Sequence, residues 1–270
     1  MDGLGPQPVP ALLSPYVRSV VSYDLTGAPG IHRGLPSTGL TIVFPLDVPI
    51  AVGWTDSSVS ADWSTVGGLH TRPARIHHDG RQRGIQATLT VAGSRCLLGM
   101  PASELVGQII TVDALSPSLR ELPERLHAED TWAGRIEILQ RVLVGELARH
   151  EARGPRAEVG RALARLTTGA PVSGVAADVG FSRRRLSTVV REETGVTPKQ
   201  FARLARFERT KRLLVTAYRD GGPTIAAVAA EGGYADHAHL TREWNELAGC
   251  PPGLWVEEEF PNVQASLFDS

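Results

Sequence analysis

Two stretches near the C-terminal end of the chain decide the fold: AADVGFS at 176–182 and AAEGGYAD at 229–236. Each is followed, at matching distances, by a leucine, a glycine, a proline and an aromatic residue. Ala176 lies 53 residues before Ala229, and from the leucine onward the offset is 54 residues. One sequence unit therefore occurs twice, with a single inserted residue separating the copies.

Each copy has the parts of a helix-turn-helix. In the first, a short helix ends at Ala176, the chain turns at Gly180, where glycine allows a left-handed backbone, and Ser182 caps a second helix. The second copy repeats these roles with Ala229, Gly233 and Asp236. The second helix of the first copy places its apolar residues on one face and leaves an outward face that is short and basic, as in a helix that enters a major groove. That face carries Arg183, Arg184, Ser187, Thr188 and Arg191.

The tandem pattern resembles the two helix-turn-helix units of AraC/XylS-type transcription regulators, over roughly the last 115 residues. The residues that carry the resemblance are GFS, Leu186 and GVTP in the first copy, and GGYAD, Leu240, Arg242, Trp244 and GCPP in the second. Leu240 and Trp244 stand where the family usually has phenylalanine. The resemblance implies a regulator that binds a specific promoter or operator in double-stranded DNA, with RNA polymerase as a further partner.

The resemblance also implies which residues read bases. In the first recognition helix they are Arg184, Ser187 and Thr188, with Arg183 and Arg185 beside them; in the second they are His237, Ala238, His239, Thr241 and Arg242. An arginine at such a position can bond guanine O6 and N7 together, which is worth about 1–3 kcal/mol of discrimination.

Between the copies, residues 199–218 are almost uninterrupted helix formers after Pro198 and predict one long helix. A rigid connection suits two recognition helices that must enter groove segments about 34 Å apart. The arginines of this helix are interpreted mostly as a solvated face; they are Arg203, Arg206, Arg209 and Arg212.

Charge divides the C-terminal half into two parts. The net charge of the chain is −1, but residues 156–215 hold thirteen Arg or Lys against five Asp or Glu, and residues 216–270 hold two against nine. Only the basic part attracts phosphates, so the first copy is expected to supply most of the sequence-independent affinity. The alternative is that only the first copy binds DNA, while the acidic second copy binds a protein partner.

The N-terminal part contains β-branched segments separated by Gly, Pro and Asp, which predict strands in a small barrel or sandwich. The segments are 17–23, 40–46, 49–54, 64–70 and 84–93. The arrangement weakly resembles the N-terminal domain of some AraC-type regulators, so this domain is expected to bind a small-molecule effector, to form a homodimer, or both. Farther on, a helix ending near His150 carries an apolar stripe, interpreted as a dimer seam or, preferably, as a face partly buried against the barrel. The stripe consists of Trp132, Ile136, Leu139, Leu143 and Leu147.

The polar stretch HEARGPRAE at 150–158 predicts a domain boundary. The predicted fold class is α+β: an N-terminal strand-rich barrel or sandwich domain, followed by an all-α domain with two helix-turn-helix units joined by a long helix. The domains are 1–153 and 154–260, the latter with unit one at about 171–198, the linker helix at about 199–218 and unit two at about 224–257, before a tail at 261–270.

Other classes of protein find little support. The chain has no Gly-x-Ser-x-Gly, phosphate-binding glycine loop or His-Glu-x-x-His, so no enzyme and no cofactor are predicted. A metal at His70, His77 and His78 is disfavoured because adjacent strand residues point to opposite sides. Methyl-acceptor chemistry at Cys96 is a remote alternative, since a buried strand cysteine fits better; both cysteines, Cys96 and Cys250, are expected to be reduced. No membrane span or signal peptide is predicted, and a cytoplasmic location is expected.

Overall fold

The structure is a computed structural model that describes residues 4–55, 58–150, 155–219 and 224–259. A two-sheet antiparallel sandwich with covering helices precedes a helical domain, which confirms the predicted α+β class. The strands are β1 Gly5–Gln7, β2 Val17–Thr26, β3 Gly30–Gly34, β4 Leu40–Pro45, β5 Ile50–Trp54, β6 Ser60–Asp62, β7 Thr65–Gly67, β8 Ala74–His78, β9 Arg81–Leu89 and β10 Ile109–Ile110. The helices are α1 Val91–Leu98, α2 Pro117–Arg120, α3 Leu122–Ala128, α4 Trp132–His150, α5 Ala157–Thr167, α6 Val172–Asp178, α7 Arg183–Thr194, α8 Pro198–Arg219, α9 Ile225–Gly232, α10 His237–Ala248 and α11 Pro252–Glu259.

The sandwich consists of a six-stranded sheet in the order β1-β2-β9-β4-β7-β10 and a four-stranded sheet in the order β3-β8-β5-β6. The five predicted segments correspond to β2, β4, β5, β7 and β9, whereas β1, β3, β6, β8 and β10 were not predicted. The prediction for 84–93 was wrong at its end, because β9 stops at Leu89 and Thr90 caps α1 by accepting a hydrogen bond from the Gly93 amide. Cys96 is consequently buried in a helix and not in a strand.

The large apolar side chains of the six-stranded sheet face away from the second sheet. Phe44 pairs across the ladder with Ile85, and both belong to an apolar cluster with residues of α1, α3 and α4. The alternate residues, such as Thr41 opposite Thr88, face the four-stranded sheet. The principal core therefore lies between the six-stranded sheet and the helices. The space between the two sheets is lined by smaller and more polar side chains.

The apolar stripe on α4 is buried inside the chain. Ile136, Leu139, Leu143 and Leu147 are all buried, and α4 packs mainly on α1 and α3. The favoured interpretation, burial, is correct, although the helix covers the sheet through α1 and α3 more than by direct contact.

The two helix-turn-helix units contribute to different apolar clusters. Buried residues of α5, α6 and α7, with Phe201 at the start of α8, are continuous with the N-terminal core, whereas the rest of α8 and α9 to α11 form a second cluster around Phe207, Trp244 and Trp255. The first helix of each unit continues past the predicted end, to Asp178 and Gly232. The predicted domain boundary at 153 and the tail at 261–270 lie outside the described residues. No described helix is long and apolar enough to span a bilayer.

Candidate nucleic-acid interface

Both recognition helices begin at the predicted caps. Ser182 Oγ accepts a hydrogen bond from the Arg185 amide at 3.1 Å, and Asp236 Oδ1 accepts one from the His239 amide at 2.6 Å. Each helix ends at a glycine in the left-handed region, Gly195 at φ +74° and Gly249 at φ +71°. The N-terminal capping residue and the C-terminal glycine occupy the same relative positions in both units. As a result, α7 and α10 have the same length and present corresponding residues.

The basic face of α7 is open to solvent. The side chains of Arg183, Arg184 and Arg185 are exposed, and within the described ranges no ion pair or hydrogen bond holds them. Thr188 is exposed and its hydroxyl donates to the Arg184 carbonyl at 3.1 Å, while Ser187 is half-buried. Leu186, Val189 and Val190 of the same helix are buried, as the sequence pattern predicts.

On α10, His237, Ala238 and Arg242 are exposed, whereas His239 and Thr241 are half-buried. The His239 ring meets the Tyr234 ring edge-on, with 5.2 Å between centroids, so His239 is partly engaged by its own unit. The site residues of α10 therefore offer fewer free polar groups than those of α7.

Much of the acidity of unit two is neutralised within the chain. Arg203 and Arg206 of α8 donate to the buried Glu243 of α10, Arg203 Nε to Oε2 at 3.0 Å and Arg206 Nη2 to Oε2 at 2.5 Å. Arg203 also bonds Glu246, and Tyr234 Oη donates to Glu243 Oε1 at 2.7 Å. The solvated-face interpretation is thus wrong for Arg203 and Arg206, which join the connecting helix to the second recognition helix.

The environment of Glu243 fixes its charge state. Burial alone would raise its pKa, but hydrogen bonds from Arg206, Tyr234 and Arg203 bring the pKa below the ordinary glutamate value. Burial and the bond to Glu243 raise the pKa of Tyr234. Glu243 is therefore a carboxylate whose charge is used inside the domain, and it does not repel an approaching phosphate as a free charge would.

The N-terminal domain contacts the helical domain through three arginine–glutamate pairs. Arg95 of α1 bonds both oxygens of Glu193 in α7 through Nε, at 2.7 and 2.8 Å. Arg18 of β2 bonds Glu208 of α8 at 2.5 Å, and the Thr38 hydroxyl donates to the same carboxylate at 2.7 Å. Arg33 of β3 forms a two-bond pair with Glu258 of α11, at 2.8 and 3.1 Å.

A cavity of about 180 Å³ lies between the two sheets and reaches α8. Its apolar walls include Val52, Trp54 and Ile76, and Thr41, Thr65 and Thr88 line the facing sheet. At the end next to α8 the lining is charged, with Arg18, Arg33, Lys211 and Arg212 against one carboxylate, Glu208. Burial lowers the pKa of Lys211; Glu208, despite its burial, has a pKa lowered by Arg18 and Lys211.

Sequence reasoning did not find this cavity or the interdomain pairs. The signal that could have found the cavity is the alternation in β4 and β9, where threonine and glutamine occupy the face expected to be apolar in a filled sandwich. The pairs join residues far apart in sequence, and no local pattern marks them.

Among the histidines and cysteines considered as reactive groups, His70 lines the cavity, whereas His77, His78, Cys96 and Cys250 are not part of its lining. Across the described ranges, no group of three or more His, Cys, Asp or Glu residues is arranged to hold a metal ion. Cys96 and Cys250 are both buried and neither forms a disulfide, and burial raises the pKa of Cys250 to about 11. A buried thiol with a raised pKa is a poor nucleophile.

Comparison with known proteins identifies the helical domain. Residues 175–258 match the family model of a helix-turn-helix domain, of the AraC type. This part of the chain therefore has the AraC-type helix-turn-helix domain that the tandem motifs predicted, and the match supports a DNA-binding transcription regulator. A comparison with curated proteins gives no match.

Solved structures of ToxT from Vibrio cholerae share the fold of nearly the whole chain. A structure of ToxT from strain O395 has a TM-score of 0.54 at 11% identity, covering 89% of this chain and 98% of ToxT. A second crystal form gives a TM-score of 0.55 at 12% identity, covering 90% and 98%. ToxT with an unsaturated fatty acid bound, from strain SCE256, gives a TM-score of 0.54 at 10% identity, covering 88% and 94%. The order of a strand-rich domain before a helical domain is thus shared along both chains.

Proposed function

We propose that this regulator reads its operator with both recognition helices, α7 making the stronger contribution, and that a small-molecule effector bound by the N-terminal domain controls it. The single observation that carries the DNA-reading part is the exposed arginine face of α7. Arg183, Arg184 and Arg185 are held by no described partner, so their charges and donors are available to phosphates and base edges.

The base-reading set is the one predicted from the sequence. It consists of Arg183, Arg184, Arg185, Ser187 and Thr188 on α7, and His237, Ala238, His239, Thr241 and Arg242 on α10. Arg242 is exposed and is the only Arg or Lys in the sequence from 224 to 255, which supports a direct role in DNA binding. The proposal also includes that the whole regulator recruits RNA polymerase and forms a homodimer.

The test uses the full chain and a duplex selected from random DNA. We expect Arg184→Ala to weaken specific binding by about 1–3 kcal/mol and to relax base preference at one position, because a bidentate guanine contact is lost. Arg242→Ala should have a similar effect in the other half of the footprint. Arg141→Ala, an exposed arginine of α4 paired with Glu137, is the matched control and should leave affinity unchanged.

The alternative that only unit one binds DNA makes a different prediction. In that case Arg242→Ala would leave both affinity and footprint as in the wild type, while Arg184→Ala would abolish specific binding. The neutralisation of Glu243 and Glu246 by arginines of α8 favours the two-unit version, because it removes the main electrostatic objection to DNA beside α10.

The effector site is proposed at the cavity between the two sheets. A sandwich that needed no ligand would fill this space with its largest apolar residues, yet those residues face the helices instead. ToxT, which shares the fold, has been solved with an unsaturated fatty acid bound. A small molecule in the present cavity would touch both the N-terminal domain and α8, and so could influence the DNA-binding domain directly.

A further inference from the structure

Among the described residues, the two helix-turn-helix units do not share an apolar cluster. Unit one and α5 belong to the first cluster, which includes Phe201 at the start of α8. From Leu204 onward, the clustered apolar residues of α8 belong to the second cluster, together with unit two. Because the boundary between the clusters falls within α8, polar contacts that cross this boundary help to decide how one unit is oriented relative to the other.

Arg209 makes a contact of this kind. It lies about two turns beyond Phe201, in the part of α8 that packs with unit two. Its Nη2 donates to the carbonyl oxygen of Thr167, the last residue of α5, at 3.0 Å. The last four carbonyls of a helix have no partner within the helix, and three of those in α5 accept from the amides at 168–170. Arg209 supplies the partner of the fourth.

The guanidinium of Arg209 also lies beside unit two. Gly233 ends α9 in the left-handed region, at φ +83°, and a Cβ added there would be 4.0 Å from Arg209 Nη1. A Cβ added at Gly169, just after α5, would be 3.3 Å from Arg209 Nη2. Arg209 therefore occupies the space between the C-terminal ends of α5 and α9, where the negative ends of two helix dipoles favour a cation.

Two other arginines of α8 hold the second recognition helix. Arg206, one turn before Arg209, bonds Glu243 of α10, and its guanidinium lies 4.6 Å from the centre of the Tyr234 ring. Arg203 bonds the same carboxylate. Since residues three apart share a face of a helix, one side of α8 joins α10 through Arg203 and Arg206 and joins α5 through Arg209.

We propose that Arg209 is a positioning residue for DNA reading, which fixes the orientation of unit one relative to unit two and so sets the spacing of the two half-sites. This inference rests on the proposed reading by both units. One base pair added between the half-sites moves the second by about 3.4 Å and turns it by about 35° around the duplex. A domain of fixed shape loses contacts at the wrong spacing, whereas a domain with a loose joint adapts to it.

The first test measures the orientation without DNA. Nitroxide labels are attached to the full chain at Arg191→Cys in α7 and Glu231→Cys in α9, which are exposed positions, whereas the native Cys96 and Cys250 are buried. Pulsed electron paramagnetic resonance gives the distribution of distances between the labels. Adding Arg209→Gln should make this distribution about twice as broad, since loss of a charge-assisted hydrogen bond admits further orientations. An unchanged distribution would overturn the proposal.

The second test uses the selected operator with one base pair added or removed between its halves. The wild type should bind the altered duplexes about tenfold more weakly than the selected one, and Arg209→Gln only about twofold more weakly. On the selected duplex the variant should stay within about threefold of the wild type, with its base preferences unchanged. Arg141→Gln removes an exposed arginine of α4 and, as the control, should keep the discrimination of the wild type.

The outcomes separate the role of Arg209 from the proposed function. If Arg209→Gln lowers affinity equally at every spacing, the proposal is overturned, and a salt slope reduced by about one would assign Arg209 to a phosphate contact. If the wild type binds equally well when the half-site of unit two is scrambled, the proposed reading by both units is wrong. The distance distribution involves no DNA, so it still decides whether Arg209 fixes the orientation.

Discussion

At the level of single residues, Glu243 supports the proposal that the second unit binds DNA despite its acidic sequence. Its carboxylate lies on a recognition helix but is buried, and it accepts hydrogen bonds from Arg203, Arg206 and Tyr234. A count of charges along the sequence treats every glutamate as unpaired. It therefore overstates the repulsion between unit two and the phosphates of DNA. The arginines that neutralise it lie about forty residues earlier in the chain, where a helical pattern gives no sign of the pairing.

The lowered pKa of Glu243 predicts an acid-sensitive unit two. Its pairing is fully present above the unfolded value of about 4.3 and is lost as pH falls through the lower folded value. Stability measured by urea denaturation should therefore decline below about pH 4.3, and Glu243→Gln should flatten part of that decline. Glu137→Gln, at a glutamate that is 69% exposed, should leave the pH dependence unchanged. Equal effects of the two variants would contradict the prediction.

At the level of elements, the helix ends follow the sequence closely because they depend on local chemistry. Ser182, Asp236, Gly195 and Gly249 take the positions that their side chains or backbone freedom favour. Strand ends depended on more distant contacts. Thr90 is β-branched and reads as part of a strand, yet its hydroxyl caps α1 because the Gly93 amide lies within reach.

Gly180 and Gly195 both follow the end of a helix, but substitution by alanine should reduce the free energy of unfolding by different amounts at the two positions. At Gly180, φ is +72° and an added Cβ meets nothing within 4 Å, so Gly180→Ala should cost only the left-handed strain of about 1–2 kcal/mol. At Gly195, the Cβ would also press on Val106 and Ser103, so Gly195→Ala should cost clearly more. Urea denaturation of both variants measures the difference, and equal losses would mean that the contact between Gly195 and the N-terminal domain is loose.

At the level of the whole molecule, the apolar clusters divide the chain differently from its domains. The first extends from the sandwich helices into unit one and the first turn of α8, and the second holds the rest of α8 and unit two together. The sequence predicted two domains and two units, which is the order of elements observed. It did not predict that unit one would share a core with the preceding domain, because that depends on how surfaces fit after each element has formed.

The division of the core into two apolar clusters predicts two separable unfolding steps. Trp244→Ala removes a fully buried side chain from the second cluster and should cost about 3–5 kcal/mol, felt mainly there. Hydrogen exchange should rise in 225–259 and stay slow in 81–89. Leu186→Ala is the corresponding variant in the first cluster. The faster hydrogen exchange that it causes should extend to α1 and the helices near it. A single common loss of protection in both variants would rule out the division.

Trp54 in the cavity wall gives the protein its own optical reporter. The indole is flanked by His70, with ring centroids 5.2 Å apart, and by the Arg72 guanidinium 5.0 Å from its ring. Indole emission responds to the polarity beside the ring, so an arriving molecule that replaces water there alters colour and intensity. Titrating the unlabelled protein with small molecules in a fluorimeter would then test which of them bind at the proposed effector site.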